Sequence, residues 1–315
     1  MDKNNFKESW CSDIGISEAS LDRLIRKAPN SYKTYTIPKK SGGVRVIAQP
    51  AKEIKYLQNW LKDNTFSHLP VHECATAYKS GANIKTNAAA HSNNRYIAKF
   101  DFKNFFTSIK ESDIKAHLSI YFEKVLSEED VADIARLSCI KQKANLPLCL
   151  SIGAPTSPIL SNSLLYNFDC TVSDWCNKKK IIYTRYADDL TFSTSIKGLT
   201  GTIEKSLRDI VTNLNYPTLR FNNKKTIQVS KKHQRRITGI VIDNQNNLSL
   251  GRNRKREISA LIHKYTIREL EQKRVLYLQG LLGFAKDIEP IFIVRMNRKY
   301  GSDVISKILS IRKDT

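Results

Sequence analysis

Apolar positions along this chain change their period several times, and each change marks an element. After Ser17, residues Leu21, Leu24 and Ile25 recur at helical spacing, which predicts a helix capped by Ser17, running to Lys27 and ended by Pro29. Tyr32 to Ile37 and Val44 to Ala48 are rich in β-formers, and the turn Lys39-Lys40-Ser41-Gly42-Gly43 joins them as a hairpin. A helix is expected over Lys52 to Phe66, then a strand over Tyr96 to Asp101 that runs into the aromatic cluster Phe102, Phe105 and Phe106. Helices follow near Asp113–Phe122 and Glu129–Lys141, and Pro155 suits the first turn of a helix reaching Phe168. Ile181 to Arg185 and Leu190 to Thr194 flank Tyr186-Ala187-Asp188-Asp189 as a second hairpin. A helix over Thr202–Asn213, short strands near Leu219–Phe221, Thr226–Val229 and Ile237–Ile242, and a helical pattern from Arg252 onward complete the reading. No repeat or low-complexity linker interrupts it.

Composition adds one strong signal. The 315 residues are 41% hydrophobic, ordinary for a globular chain, but carry 52 Lys and Arg against 30 Asp and Glu, a net charge of +22. Such a surplus attracts polyanions, and counterion release favours nucleic acid. Membrane binding is the lesser option, because no apolar run approaches the ~18 residues of a spanning helix and no basic amphipathic helix stands apart. Half of the surplus lies between Lys231 and Thr315, where 19 basic residues face 8 acidic ones. A solvated helical face and a lobe gripping a nucleic-acid backbone both fit that excess, the second better. Met1 to Trp10 is polar and unlike a signal peptide. The six cysteines form no Cys-x-x-Cys pair, which argues for reduced thiols rather than a zinc or redox motif. Pro70 between His68 and His72 breaks helical metal-ligand spacing.

Two acidic sites stand out against this basic background. Asp101 closes an apolar strand, and Asp188 and Asp189 sit at a hairpin tip. Carboxylates at strand ends project from a rigid sheet, and hard divalent cations prefer oxygen ligands. Two ions ~3.5–4 Å apart can stabilise the attacking and leaving oxygens of a phosphoryl transfer, provided the carboxylates converge. An Asp-Asp pair is also ordinary turn chemistry, so the residues alone leave both readings open.

Tyr186-Ala187-Asp188-Asp189 resembles the Tyr-x-Asp-Asp signature of reverse transcriptases. Asp101-Phe102-x-x-Phe105-Phe106 upstream and Gly153-Ala154-Pro155-x-Ser157-Pro158 between them follow the order and spacing of that family. The resemblance runs from about Tyr32 to the C-terminus. It implies an α+β right-hand polymerase: N-terminal helices and fingers over 1–95, a palm of antiparallel sheet plus helices over 96–236, and a basic, RNA-binding helical thumb over 237–315. It implies two Mg²⁺ ions, replaceable by Mn²⁺, held by Asp101 and Asp188, with Asp189 as the neighbouring catalytic acid at the same metal site. Arg45 matches the arginine that contacts the incoming triphosphate, which suits a planar, permanently charged clamp. Phe105 matches the aromatic under the sugar, where a bulky ring would clash with a ribose 2′-OH, and Phe102 falls in the same nucleotide set; core packing is the commoner fate of a Phe. Gly153 and Ala154 match the loop backing the templating base pair, with Ile152 standing where a Gln is common. Lys225 matches a lysine proposed to protonate pyrophosphate, and equally suits a solvated lysine in a basic loop.

Local elements narrow the resemblance. Asn87-Ala88-Ala89-Ala90-His91 resembles the Asn-Ala-x-x-His element of bacterial retron reverse transcriptases, and Ile237-Thr238-Gly239 their Val-Thr-Gly element. No RNase H, maturase or Cys/His endonuclease module is expected beside the one thumb. A retron-type enzyme is expected to copy a structured RNA from its own locus. It would prime from an internal 2′-OH to give branched RNA–DNA, termed msDNA, with host RNase H trimming the hybrid. The expected setting is cytoplasmic anti-phage defence beside an effector, here most similar to an ATPase–HNH nuclease pair. Structured RNA is read by shape, 2′-OH and phosphate, and Arg252, Arg254, Lys255 and Arg256 are the expected readers. Lys231, Lys232, Arg235 and Arg236 would extend the patch, and Tyr265 and Tyr277 could stack on bases. The alternatives are an abortive-infection or intron-derived reverse transcriptase, a catalytically silent RNA-binding scaffold, and a basic nuclease using the same carboxylates.

Overall fold

The computed structural model describes residues 6–39 and 42–312, so Lys40 and Ser41 of the expected first turn lie outside the described residues. In chain order the elements are α1 (Phe6–Ile14), α2 (Glu18–Lys27), β1 (Tyr32–Pro38), β2 (Val44–Pro50), α3 (Lys52–Asn64), α4 (Ile84–Ala90), β3 (Tyr96–Asp101), α5 (Phe105–Ser108), α6 (Glu111–Tyr121), α7 (Glu128–Leu137), α8 (Ser157–Leu164), α9 (Tyr166–Lys178), β4 (Ile182–Tyr186), β5 (Asp189–Thr194) and α10 (Thr200–Thr212). Short strands follow, β6 (Ile227–Ser230), β7 (Arg235–Ile237), β8 (Ile240–Ile242) and β9 (Leu248–Ser249), and then the helices α11 (Arg252–Thr266), α12 (Gln272–Ile288), α13 (Pro290–Tyr300) and α14 (Ser302–Ser310). The fold class is α+β. Strands β1 and β2 pair as an antiparallel hairpin, β3 to β6 form a sheet in the order β4-β5-β3-β6, and β7-β8-β9 form a third sheet. Among the described residues no helix is long and apolar enough to cross a membrane.

Local chemistry sets the helix starts. Ser17 accepts from the Ser20 amide and Asn83 from the Thr86 amide, each satisfying a free N–H of the first turn. Ser127 and Asp130 form a reciprocal capping box on α7. Two expectations shift. Pro158, rather than Pro155, occupies the first helical turn, and the single helix expected to reach Phe168 breaks at Leu165 into α8 and α9. The strand expected over Ile237–Ile242 is two strands, because Thr238 (φ 45°) and Gly239 (φ 87°) turn the chain through a left-handed two-residue hairpin. Leu219–Phe221 shrinks to an isolated bridge between Phe221 and Phe102.

The chain divides into two compact units. The first holds residues up to Ala82, Ala98–Phe192 and Gly198–Ile227; the second holds Asn83–Ile97, Ser193–Lys197 and the chain from Gln228. The core of the first joins Leu21, Ile25, Leu57 and Leu61 to Phe100, Phe168, Leu190 and Phe192. In the second, Ala88 and Ile97 pack with Ile237, Ile240 and Ile242 and with the apolar faces of α11 to α14, including Ile258, Leu278, Leu282 and Ile308.

Candidate active site

Asp101 is the last residue of β3, and the Ala187-Asp188 turn joins β4 to its neighbour β5. The sheet order sets β5 beside β3, so residues 87 positions apart meet: the Phe102 amide donates to the Asp188 carbonyl at 3.2 Å. Ala187 takes the left-handed conformation (φ 58°) that lets a two-residue turn carry Asp188 at the tip. The carboxyl of Asp101 is buried, at 3% exposure. It accepts from Lys225 Nζ at 2.6 Å and from Asn222 Nδ2 at 3.2 Å, while the Asn222 amide donates to the Asp101 carbonyl at 2.8 Å.

The electrostatics are those of crowded carboxylates. Burial, then the fields of Asp101 and Asp189, push the Asp188 carboxyl up to about 6. Burial also raises Asp189, against the opposing field of Lys99. Burial works against the charge of Lys225, yet its bond to Asp101 and the Asp188 and Asp189 charges raise its pKa. Among the described residues no group of three or more His, Cys, Asp or Glu side chains is gathered closely enough to hold a metal ion. At Asp101, Lys225 and Asn222 engage both carboxyl oxygens. The donor set fits divalent cations: these are hard oxygen ligands, three carboxylates whose negative charge Lys225 and Lys99 only partly offset.

Other expected residues divide into those the fold brings to this end of the sheet and those it does not. Arg45 is exposed on β2, opposite Ile37. Gly153 (φ 125°) packs against β2: a Cβ there would lie 2.8 Å from the Ala48 carbonyl oxygen, and the Ala48 amide donates to the Ile152 carbonyl at 2.8 Å. The close approach is therefore to the protein's own strand, with Ala154 buried beside it. The expectation for Phe102 and Phe105 needs correcting. Both rings are buried, at 1% and 3% exposure, and stack on each other at 5.9 Å, with Phe221 and Phe168 on the other sides of Phe102. Of the aromatic cluster, Phe106 keeps partial exposure and faces Tyr78 at 6.3 Å.

In the second unit the basic cluster opens α11. Arg252 and Arg256 are exposed, and Arg254 lies over the Phe284 ring at 4.9 Å. Lys255 is not a free reader: it pairs with Glu289 at 2.5 Å, and Glu289 also accepts from Ser249 and the Leu250 amide. Arg235 is likewise buried, donating to the Ser92, Asn94 and Asp243 carbonyls, so it does not extend the patch. Tyr277 is exposed and donates to Glu257, whereas Tyr265 packs against the core. Both local retron-like elements lie in this unit. Asn87 and His91 belong to the α4 segment, His91 Nδ1 is 2.7 Å from Ser193 Oγ, and Thr238 donates to the Ile84 carbonyl at 3.2 Å.

Sequence reasoning missed Tyr78, Asn222 and a fully buried network beneath the hairpin. There Arg185 donates to Asp169 through Nε (2.9 and 3.0 Å) and Nη2 (2.6 Å), to Asn162 Oδ1 (3.0 Å) and to the Ala187 carbonyl (3.3 Å). The signal was an arginine inside an otherwise apolar strand, which requires an acidic partner.

A strand-end carboxylate whose strand is tied through its next backbone amide to a hairpin carrying two more, with a lysine on that carboxylate, on a strongly basic chain, defines a palm-type nucleotidyl-transfer protein. Residues 37–242 match the family described as reverse transcriptase (RNA-dependent DNA polymerase). The chain is 38% identical to the retron Ec83 reverse transcriptase of Escherichia coli over 91% of its own length and 93% of the relative's. It is 31% identical to the retron Ec73 reverse transcriptase of the same species, over 89% and 90%. Telomerase from Candida albicans, solved with a fragment of telomeric RNA, aligns with a TM-score of 0.50 at 14% identity, over 96% of this chain and 61% of that one. This chain thus spans about three fifths of the telomerase, and the likeness shows the fold alone. The chain belongs to the reverse transcriptase family, among the retron reverse transcriptases. It is an RNA-directed DNA polymerase, of a family that depends on divalent metal ions and takes an RNA template.

Proposed function

We propose that this enzyme copies a structured RNA from its own locus into DNA, starting from an internal 2′-OH and leaving branched RNA–DNA, within a cytoplasmic anti-phage system. The observation that carries the polymerising site is the bond between the Phe102 amide and the Asp188 carbonyl, which joins the two carboxylate-bearing strand ends. The retron assignment draws on relatives matching about nine tenths of the chain. Host RNase H then trims the hybrid, and an effector, an ATPase–HNH nuclease pair by resemblance, completes the system.

In this reading Asp101 and Asp188, with Asp189 beside them, hold two Mg²⁺ ions, for which Mn²⁺ can substitute. When bound, the ions supply charge stabilisation for the attacking and leaving oxygens. The remaining work belongs to side chains. Arg45 clamps the triphosphate with a rigid fork of donors. Lys225, whose ammonium donates to Asp101, is the group at hand to give a proton to departing pyrophosphate. Gly153 and Ala154 back the templating pair from a loop fixed on β2. With Phe102 and Phe105 in the core, the ring that meets the sugar is Phe106. The helices from residue 237 onward act as the thumb, where Arg252, Arg254 and Arg256 read RNA phosphates and 2′-OH groups.

The test is to isolate the protein from cells expressing its native locus and sequence the bound nucleic acid across the RNA–DNA junction. A DNA strand joined to the 2′ position of an internal guanosine supports the reading. DNA found only on linear primers contradicts it.

A further inference from the structure

Tyr78 lies in the loop between α3 and α4, where an exposed tyrosine would ordinarily be unremarked. Three observations set it apart. Its backbone is left-handed (φ 59°), a conformation that a bulky residue adopts only when its surroundings impose it. The segment before it is stitched to the strand carrying the catalytic turn. The Arg185 amide donates to the Cys74 carbonyl at 2.9 Å, and the Thr76 amide and hydroxyl donate to the Arg185 carbonyl at 2.7 and 3.0 Å. Asn162 Nδ2 then donates to the Ala77 carbonyl at 2.8 Å, from the same side chain that accepts from Arg185. The ring is nevertheless 47% exposed, so this anchoring serves to present it rather than bury it.

What it is presented to is informative. The Tyr78 ring lies 6.3 Å from that of Phe106 at an interplanar angle of 54°. Burial raises its hydroxyl pKa; the charges of Asp188 and Tyr186 add to that rise, and Arg45 opposes it. The ring thus stands beside the proposed sugar-contacting ring, on a segment hydrogen-bonded to the strand that leads into the Asp188 turn, and feels the charges of both Asp188 and Arg45. A phenol there offers an apolar edge and one hydroxyl donor.

We infer that Tyr78 is a substrate-contacting residue, its ring flanking the sugar of the incoming deoxynucleoside triphosphate beside Phe106 and its hydroxyl donating to a triphosphate oxygen. The inference rests on the reading of Asp101 and Asp188 as the polymerising site. The loop geometry follows from it: the Arg185–Asn162 network fixes one backbone to the Ala187 turn and to Ala77, so turn and tyrosine keep a constant spacing.

The experiment is steady-state extension of a DNA primer on an RNA template by wild type, Tyr78→Phe, Tyr78→Ala and Asp188→Asn, with KM taken separately for dNTP and for primer–template. A hydrogen bond to a charged oxygen predicts a rise of about tenfold or more in dNTP KM for Tyr78→Phe. Its kcat and primer–template KM stay within twofold of wild type. Tyr78→Ala, which also loses the ring, raises dNTP KM further and lowers discrimination against ribonucleotides. An unchanged dNTP KM in Tyr78→Phe, or a change confined to primer–template KM, overturns the inference. An active Asp188→Asn enzyme would instead overturn the underlying site, so the two failures are distinguishable.

Discussion

Asp169→Asn removes the charge that neutralises Arg185 while keeping the side chain's shape. Both residues are fully buried, and Arg185 places three contacts on the two Asp169 oxygens at 2.6 to 3.0 Å. Tyr183 donates its hydroxyl to the same carboxylate at 2.8 Å. Burial alone would disfavour the guanidinium charge; Asp169 outweighs that and raises the Arg185 pKa. An uncompensated buried charge costs about 3–5 kcal/mol, a large part of the ~5–15 kcal/mol that holds a domain folded. With a urea slope of about 3 kcal/mol/M, the midpoint should fall by about 1 M or more. Trp10, Trp60 and Trp175 all lie in the first unit, so tryptophan fluorescence reports its unfolding. Replacing both partners, as Asp169→Leu with Arg185→Leu, should cost less than Asp169→Asn alone, because no charge is then stranded. An Asp169→Asn midpoint within 0.2 M of wild type, by the same slope, would refute the account of the network.

Further outcomes follow from other parts of the fold. Gly153→Ala should destabilise by about 2 kcal/mol or more and lower polymerase activity, since its Cβ meets the Ala48 carbonyl oxygen at 2.8 Å; thermal melting and extension assays check both. Burial depresses the His91 pKa to about 3, so the unfolded chain binds the proton first as pH falls below about 6.5. Stability should therefore be full above pH 6.5 and fall by up to about 5 kcal/mol towards pH 3, and His91→Gln should flatten that slope in acid-unfolding curves. Phe106→Ala should relax discrimination against ribonucleotides, whereas Phe105→Ala should act mainly on stability, at a cost of about 3–5 kcal/mol; single-nucleotide insertion with dNTP and rNTP separates them.

Much of this molecule was legible from sequence because the signals were local. The Ser17 cap, the strand Tyr96–Asp101 and both hairpins were anticipated, since apolar period and turn residues act over a few positions. The convergence of Asp101 and Asp188 needed the order of motifs as well, because a strand order of β4-β5-β3 is not encoded in either segment. What failed was burial within a motif. Phe102, Phe105 and Phe106 look alike in the chain, and packing with residues distant in sequence, such as Phe221 and Phe168 on Phe102, is what encloses some of these rings. Lys255 looked like its basic neighbours because its partner Glu289 lies 34 positions on, and Arg235 looked solvated because its acceptors are backbone carbonyls. Tyr78 carried no motif, and its conformation depends on Asn162 and Arg185, distant in sequence.

The central claim is that Asp101 and Asp188 form one polymerising site. The most direct measurement is DNA synthesis on a primed RNA template, with Mg²⁺, by purified Asp101→Asn and Asp188→Asn proteins whose circular dichroism and melting match wild type. The account predicts loss of extension by at least ~10³-fold in each, comparable to removing a principal electrostatic group from an active site. Extension by either folded protein within tenfold of wild type would contradict it.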